Sequence, residues 1–183
     1  MLTERWPPVY DAEDLKQTIS LLVSPNGSAS QLYCLRSQPT ACQGDVFELD
    51  SSVPLIHEDG KPATKGDFKY WLVIGNTCDI SRSLEEVEYS QIVPIHTIEG
   101  HSVTSDQRKS FLTYAYSRRF YLPPWEGIDS EAVFFADFTT PVTVHKNVIQ
   151  DLDKRKATLS HHGWILLHSC LVRFLARDDG RYD

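Results

Sequence analysis

A chain of 183 residues, 41% hydrophobic and 23% charged, can bury a proper core and fits one elaborated domain better than two. That balance excludes global disorder. The formal net charge of −7 repels a polyanion as a whole, which argues against constitutive DNA binding while leaving room for a local basic site.

The first ten residues, MLTERWPPVY, hold no apolar signal core, and Pro7 and Pro8 impose an extended entry segment on which Trp6 is expected to dock. No later apolar run approaches the roughly 18 residues of a membrane span. From Asp11 a short helix is expected, with Leu15, Ile19 and Leu22 at helical spacing, stopping at Ser24-Pro25-Asn26-Gly27. Gln31 to Arg36 reads equally as a strand or a helical turn. Gly44-Asp45 opens a strand over Val46 to Leu49. Asp50 to Phe68, with Pro54, Asp59-Gly60, Pro62 and Gly66-Asp67, reads as a long loop. Trp71 to Ile74 is an unbroken apolar run, as in a strand covered on both faces, and the polar Thr77-Cys78-Asp79 follows at its mouth.

Glu85, Glu86 and Glu88 read as a solvated face. Gln91 to Ile95 is a third strand, and residues 99–110 read as a loop. Phe111 to Tyr121 suits a strand, a hairpin arm or a short helix, ended by Pro123-Pro124. Ala132 to Ala136 and Pro141 to His145 form one bent strand or two short ones, with Asp137 at the bend. Val148 to Lys156 suggests a short helix. The last helix starts at Ser160 as cap and carries Trp164, Leu167, Leu171, Phe174 and Leu175 on one stripe. Cys34, Cys42, Cys78 and Cys170 form no Cys-x-x-Cys pair, so they read as reduced thiols of a cytoplasmic protein.

The order of these segments over roughly Gln43 to Ala176 resembles the MazF/PemK family, small barrels that include toxin endoribonucleases of toxin–antitoxin pairs. Gly44-Asp45-Val46-Phe47 is similar to the family's opening Gly-Asp-x-Val strand. Lys69 to Ile74 matches its Arg-Pro-x-x-Val-Ile/Leu strand, and Val93-Pro94-Ile95-His96-Thr97 its Pro-x-Thr strand. The resemblance implies a mainly β protein with flanking helices (α+β): an SH3-like small barrel with long loop insertions and a C-terminal helix. Residues 1–42 would then be an N-terminal extension with a short helix, 43–177 the barrel domain and 178–183 a tail. The family's catalytic arginine falls on Lys69, the proline after it on Tyr70, and the catalytic threonine on Thr97 or, one residue away, on His96. Lysine replaces a bidentate fork with a point charge, so this substitution departs from the toxin pattern. Thr77-Cys78-Asp79-Ile80 lies outside that pattern and marks a divergent branch.

Metal-independent RNA cleavage needs a base, an acid and a cation for the phosphorane. His96 suits acid or base, Lys69 or Arg119 the cation and Thr97 a hydrogen bond; the plainer reading of His96 is a strand histidine satisfied by a neighbour. Cys78, Asp79 and His96 could form a nucleophile, an orienting carboxylate and a base, or, with His101, a ligand set of suitable types without a metal-site spacing. The plainer reading of Cys78 is a small core residue. Tyr116, Arg118, Arg119 and Tyr121 interleave rings and cations as single-stranded RNA platforms do, or else line one core face and one solvent face. The expectation is therefore an RNA-binding protein or endoribonuclease without metal or cofactor. Its partners would be single-stranded RNA, an antitoxin-like protein or a second copy of the chain. The alternative is a non-catalytic interaction module that keeps the barrel.

Overall fold

A computed structural model describes residues 32–34, 38–128 and 131–175. The expected entry segment, the helix from Asp11, the 178–183 tail and part of Gln31 to Arg36 lie outside the described residues. The architecture is mainly β. Seven strands, β1 (Asp45–Ile56), β2 (Pro62–Val73), β3 (Tyr89–Ile98), β4 (Arg119–Leu122), β5 (Val133–Asp137), β6 (Val142–His145) and β7 (Arg155–Thr158), form one antiparallel sheet. Among the described residues there are four α-helices: α1 (Thr77–Ser81), α2 (Ser105–Leu112), α3 (Asn147–Gln150) and α4 (His161–Leu175). None is long and apolar enough to cross a membrane.

The sheet runs β4-β5-β3-β2-β1-β7, and β6 also pairs with β3. Ile95 pairs with both Tyr70 and Ala136, and Ile92 with both Val73 and Val142, so β5 and β6 divide one edge of β3 between them. The bent segment is therefore two short strands. Asp137 sits at the break, where its carboxylate accepts hydrogen bonds from Thr139 N (2.9 Å) and Thr139 Oγ1 (2.6 Å).

Strand alternation sends neighbours to opposite faces. Val46, Leu72, Val93, Phe120 and Phe134 pack with Leu166, Leu167 and Cys170 of α4. Phe47, Trp71, Val73 and Ile92 pack on the other side with Ile80 and Ile149. Two covered faces explain why Trp71 to Ile74 reads as a continuous apolar run. Leu32 and Ala41, ahead of β1, are buried as well.

Several expected elements differ. The long loop over Asp50 to Phe68 is instead the outer half of the β1–β2 hairpin, paired through Ser51↔Phe68, Val53↔Lys65 and Ile56↔Pro62 with irregularities on either side of Ser51. Its turn closes through His57 N to Lys61 O (2.8 Å), with Gly60 at φ +79°. Most of its side chains face solvent, so no apolar alternation marks it. Residues 99–110, expected as a loop, contain most of α2, which a Thr104/Gln107 capping box starts. In the Phe111 to Tyr121 segment, Phe111 and Leu112 are the last residues of α2 and Arg119 begins β4. Val148 to Lys156 is only partly helical, since Arg155 and Lys156 belong to β7 beside β1. Thr77-Cys78-Asp79 is the short helix α1.

In α4, Ser160 Oγ accepts a hydrogen bond from Gly163 N at 3.2 Å, as a cap does. The buried stripe is centred on Gly163, Leu166, Leu167 and Cys170, whereas Leu175 is 77% exposed. A Cβ at Gly163 would come within 2.4 Å of the Leu32 carbonyl oxygen, so close backbone approach sets the helix's rotation. Trp164 consequently turns aside and donates to Gln43 Oε1 at 2.9 Å.

Candidate functional site

The chemistry-bearing groups gather near the C-terminal half of β3. His96 lies directly opposite Phe135 in the ladder. The two rings stack at 4.8 Å and 2°, while Phe68 of β2 meets the imidazole edge-on at 4.9 Å. Strand β4 adds Arg119, whose guanidinium carbon is 4.8 Å from the Phe135 centroid and 5.3 Å from that of Tyr116. Such contacts are worth about 0.5–2 kcal/mol each, depending on desolvation. Arg119 Nε is buried without a hydrogen-bond partner. Asp137, opposite Arg119 in the ladder, supplies the carboxylate.

Burial pushes the half-buried His96 imidazole below the ordinary histidine range. Asp137 pulls it back up, and the positive charges of Arg119 and Lys65 push it further down. The net direction is downward, so the ring is neutral at pH 7 and able to accept a proton. The arrangement offers a base, a guanidinium, an ammonium and aromatic surface, which suits a phosphate flanked by stacked bases.

Of the residues singled out in the sequence, His96, Arg119 and Tyr116 come together. Lys69 does not join them: it is exposed and pairs with Glu48 (3.2 Å), which also holds Lys156 (2.8 Å). Thr97 is exposed and, by the two-residue period, directed away from His96. Arg118 is exposed in the turn before β4. Tyr121 is half-buried between α2 and the sheet, its ring 6.3 Å from Phe111 and its carbonyl oxygen accepting from Tyr114 Oη at 3.1 Å. It serves the core more than a binding platform.

Cys78 and Asp79 follow β2 and therefore sit near the start of β3, since Val73 pairs with Ile92. From Ser90 to His96 the strand covers about 20 Å at ~3.3 Å per residue. A thiol site of Cys78, Asp79 and His96 is thus not assembled, nor is a metal set including His101, whose Nε2 pairs with Glu99 at 3.2 Å. Among the described residues no three or more His, Cys, Asp or Glu side chains are grouped to hold a metal.

The residues overlooked in the sequence are Lys65, Phe68, Phe135 and Asp137. Lys65 and Phe68 lie on the outer hairpin, whose polar, turn-rich sequence reads as a loop, and Phe135 carries no sign beyond an apolar run.

The Cys78-Asp79 end has an organisation of its own. Asn76 Oδ1 caps α1 by accepting from Cys78 N (2.8 Å). The fully buried Lys146 donates through Nζ to the carbonyl oxygens of Asp79 (3.1 Å) and Arg82 (2.6 Å), tying α1 to the junction of β6 and α3. No family model matches the chain, and no curated protein matches its sequence.

Proposed function

We propose that this chain is a divergent MazF/PemK-like small-barrel protein that binds single-stranded RNA and cleaves it without a metal ion, with His96 as base. The observation that carries the reading is the neutral, half-buried His96 imidazole stacked on Phe135 and flanked by Arg119, Lys65 and Asp137. The antiparallel strand order and the packed C-terminal helix also support it.

In this reading the RNA backbone lies along Arg119 and Lys65 while a base rests against Tyr116. His96 takes the proton of a 2′-hydroxyl, and that oxygen attacks the adjacent phosphorus. Arg119 and Lys65 stabilise the charge of the phosphorane. The 5′-oxygen leaves with a proton from water, giving a 2′,3′-cyclic phosphate. Asp137 restrains the depression of His96 so that the base keeps useful strength.

Purified protein incubated with mixed-sequence single-stranded RNA tests this. His96→Ala is expected to lower cleavage by about 10²-fold or more, the contribution of a positioned base, and Arg119→Ala comparably. Lys69→Ala is expected to retain activity. Cleavage unchanged by His96→Ala refutes the assignment.

A second reading, an interaction module that keeps the barrel and binds an antitoxin-like protein, is favoured by one observation. The lysine at the family's arginine position is neutralised by Glu48. Neither cleavage nor salt-sensitive RNA binding would select it.

A further inference from the structure

A cavity of ≈ 310 Å³ opens between α1 and the start of β3, lined in part by Asn76, Asp79, Tyr89, Ser90, Gln91 and Thr143. We propose that it is a nucleobase pocket selective for guanine, a base-reading subsite for the RNA of the preceding section, on whose reading the inference rests. Size limits the occupant to one base or nucleoside, because this volume is at the small end of ligand pockets. Charge argues against a phosphate inside the cavity: none of the described residues lining it is lysine or arginine, one is an aspartate, and the neighbouring Arg82 and Lys146 are both engaged with that aspartate.

The donors and acceptors then select the base. Asp79 offers a carboxylate whose contact with Arg82 is long, Nε to Oδ1 at 3.8 Å. A carboxylate takes two adjacent N–H groups side by side. Guanine presents such a pair at N1 and N2, whereas adenine presents only its N6 amino group. Asn76 has its Oδ1 committed to Cys78 N, so what it can turn to a ligand is the amide NH₂, a donor. Guanine O6 and N7 accept from such a donor. An arginine side chain of a protein partner, which donates only, would leave the Asn76 NH₂ unmatched.

Two further features fit a planar polar guest. Tyr89 is 53% exposed beside the cavity, with His145 meeting its ring at 5.8 Å and 87°. Stacking on an exposed tyrosine is the usual way a single-stranded base is held. Ser90, only 7% exposed, has its Oγ buried without a hydrogen-bond partner. Gly75 makes the room for that hydroxyl, since a Cβ there would fall 2.1 Å from Ser90 Oγ, and the hydroxyl's unmatched hydrogen-bonding capacity is a further contact for a base edge. The pocket lies about 20 Å along β3 from His96, a span that a few extended nucleotides bridge.

The test is fluorescence anisotropy with 5′-labelled hexanucleotide RNAs carrying one G, A, C or U in an otherwise fixed sequence. It uses the full chain bearing His96→Ala to suppress cleavage, with guanosine monophosphate as competitor. The expected result is about tenfold or tighter binding of the G-containing RNA, the discrimination of one bidentate pair. Asp79→Asn and Gln91→Ala, both at exposed positions, serve as independent variants; Asp79→Asn is expected to remove the preference while salt-sensitive binding persists. Binding without base preference, a preference for adenine, or a G preference untouched by Asp79→Asn overturns the pocket and leaves the RNA reading standing. Guanosine monophosphate bound in an Asp79-dependent way without RNA binding upholds the pocket and overturns the RNA reading. Binding of neither overturns both, and displacement of guanosine monophosphate by an arginine peptide of equal affinity overturns the guanine assignment.

Discussion

Replacing Asp45 by alanine removes the centre of the polar knot joining β1 to β7 and to the segment ahead of it. The carboxylate is fully buried. It accepts from Thr158 Oγ1 (2.6 Å) and Cys42 Sγ (3.4 Å) through Oδ1, and from Cys42 N (2.9 Å) and Arg155 Nη1 (3.3 Å) through Oδ2. Arg155 is itself only 6% exposed in its side chain. Stranding one partner of a buried ion pair costs about 3–5 kcal/mol. Arg155 also donates to the carbonyl oxygens of Thr40 and Gln38, so its guanidinium is not left bare and the lower end of that range applies. The Cys42 N–H and Thr158 hydroxyl lose acceptors and bring the total to about 4 kcal/mol. Urea unfolding followed by tryptophan fluorescence should show that loss, with a Tm lower by about 8–16 °C for a chain of this size. A loss under about 1 kcal/mol refutes the reasoning, because the pair would then behave like one on the surface. The same knot gives a second readout. Burial, and after it the Asp45 carboxylate, push the Cys42 thiol up to about 12, so it should alkylate far more slowly than exposed Cys78 and faster in the Asp45→Ala variant.

Gly163→Ala should destabilise the fold by about 1–3 kcal/mol in a urea titration, as overpacking does, even though alanine is the better helix former by ~1 kcal/mol. The contact at 2.4 Å is with the Leu32 backbone, which cannot swing aside. Thr104→Ala removes the capping box of α2 and should cost about 1 kcal/mol; hydrogen exchange should show it most strongly in residues 105–112. Since the folded His96 value lies below 6.5, the cleavage rate should rise with pH through that lowered value and level off by pH 7. The unfolded imidazole takes its proton near 6.5 and the folded one only at lower pH. This group's contribution to stability is thus complete above about 6.5 and is lost as pH falls through the folded value, which urea midpoints at pH 5 and 7 should register.

The legible parts of the fold are those with a buried face. Trp71 to Ile74, Gln91 to Ile95 and the helix after Ser160 announce themselves because core packing demands apolar residues at fixed spacing. The outer hairpin does not, since Pro54, Lys65 and Gly66 meet solvent and only the backbone ladder records the pairing. Helix α2 carried its signal in Thr104 and Gln107, but only Phe111 is buried among its residues, so no apolar stripe accompanied the cap. The site divides in the same way. His96 and Arg119 could be named by chemical type. Asp137 and Phe135 become their neighbours through ladder registers between distant segments, which no local pattern encodes. Cys78 with Asp79 looked close to His96 because both flank strands, yet antiparallel pairing puts them at opposite ends of β3.

The outer hairpin also determines the state of His96, since it brings up both Phe68, which helps bury the ring, and Lys65, which charges its surroundings. The two influences act in the same direction and can be separated. Phe68→Ala opens the imidazole to water, and Lys65→Ala removes a cation; each should raise the His96 value toward 6.5 in an NMR titration. A burial effect is indifferent to salt, whereas charges at the surface are screened over about 8 Å at physiological ionic strength and about 3 Å at 1 M. The shift caused by Lys65→Ala should therefore shrink as salt rises to 1 M, and that caused by Phe68→Ala should persist. Burial is the larger of the two causes, so Phe68→Ala should also give the larger shift at low salt. If Lys65→Ala instead dominates and both shifts vanish at 1 M, the imidazole is governed by charge, and the stacked rings merely orient it.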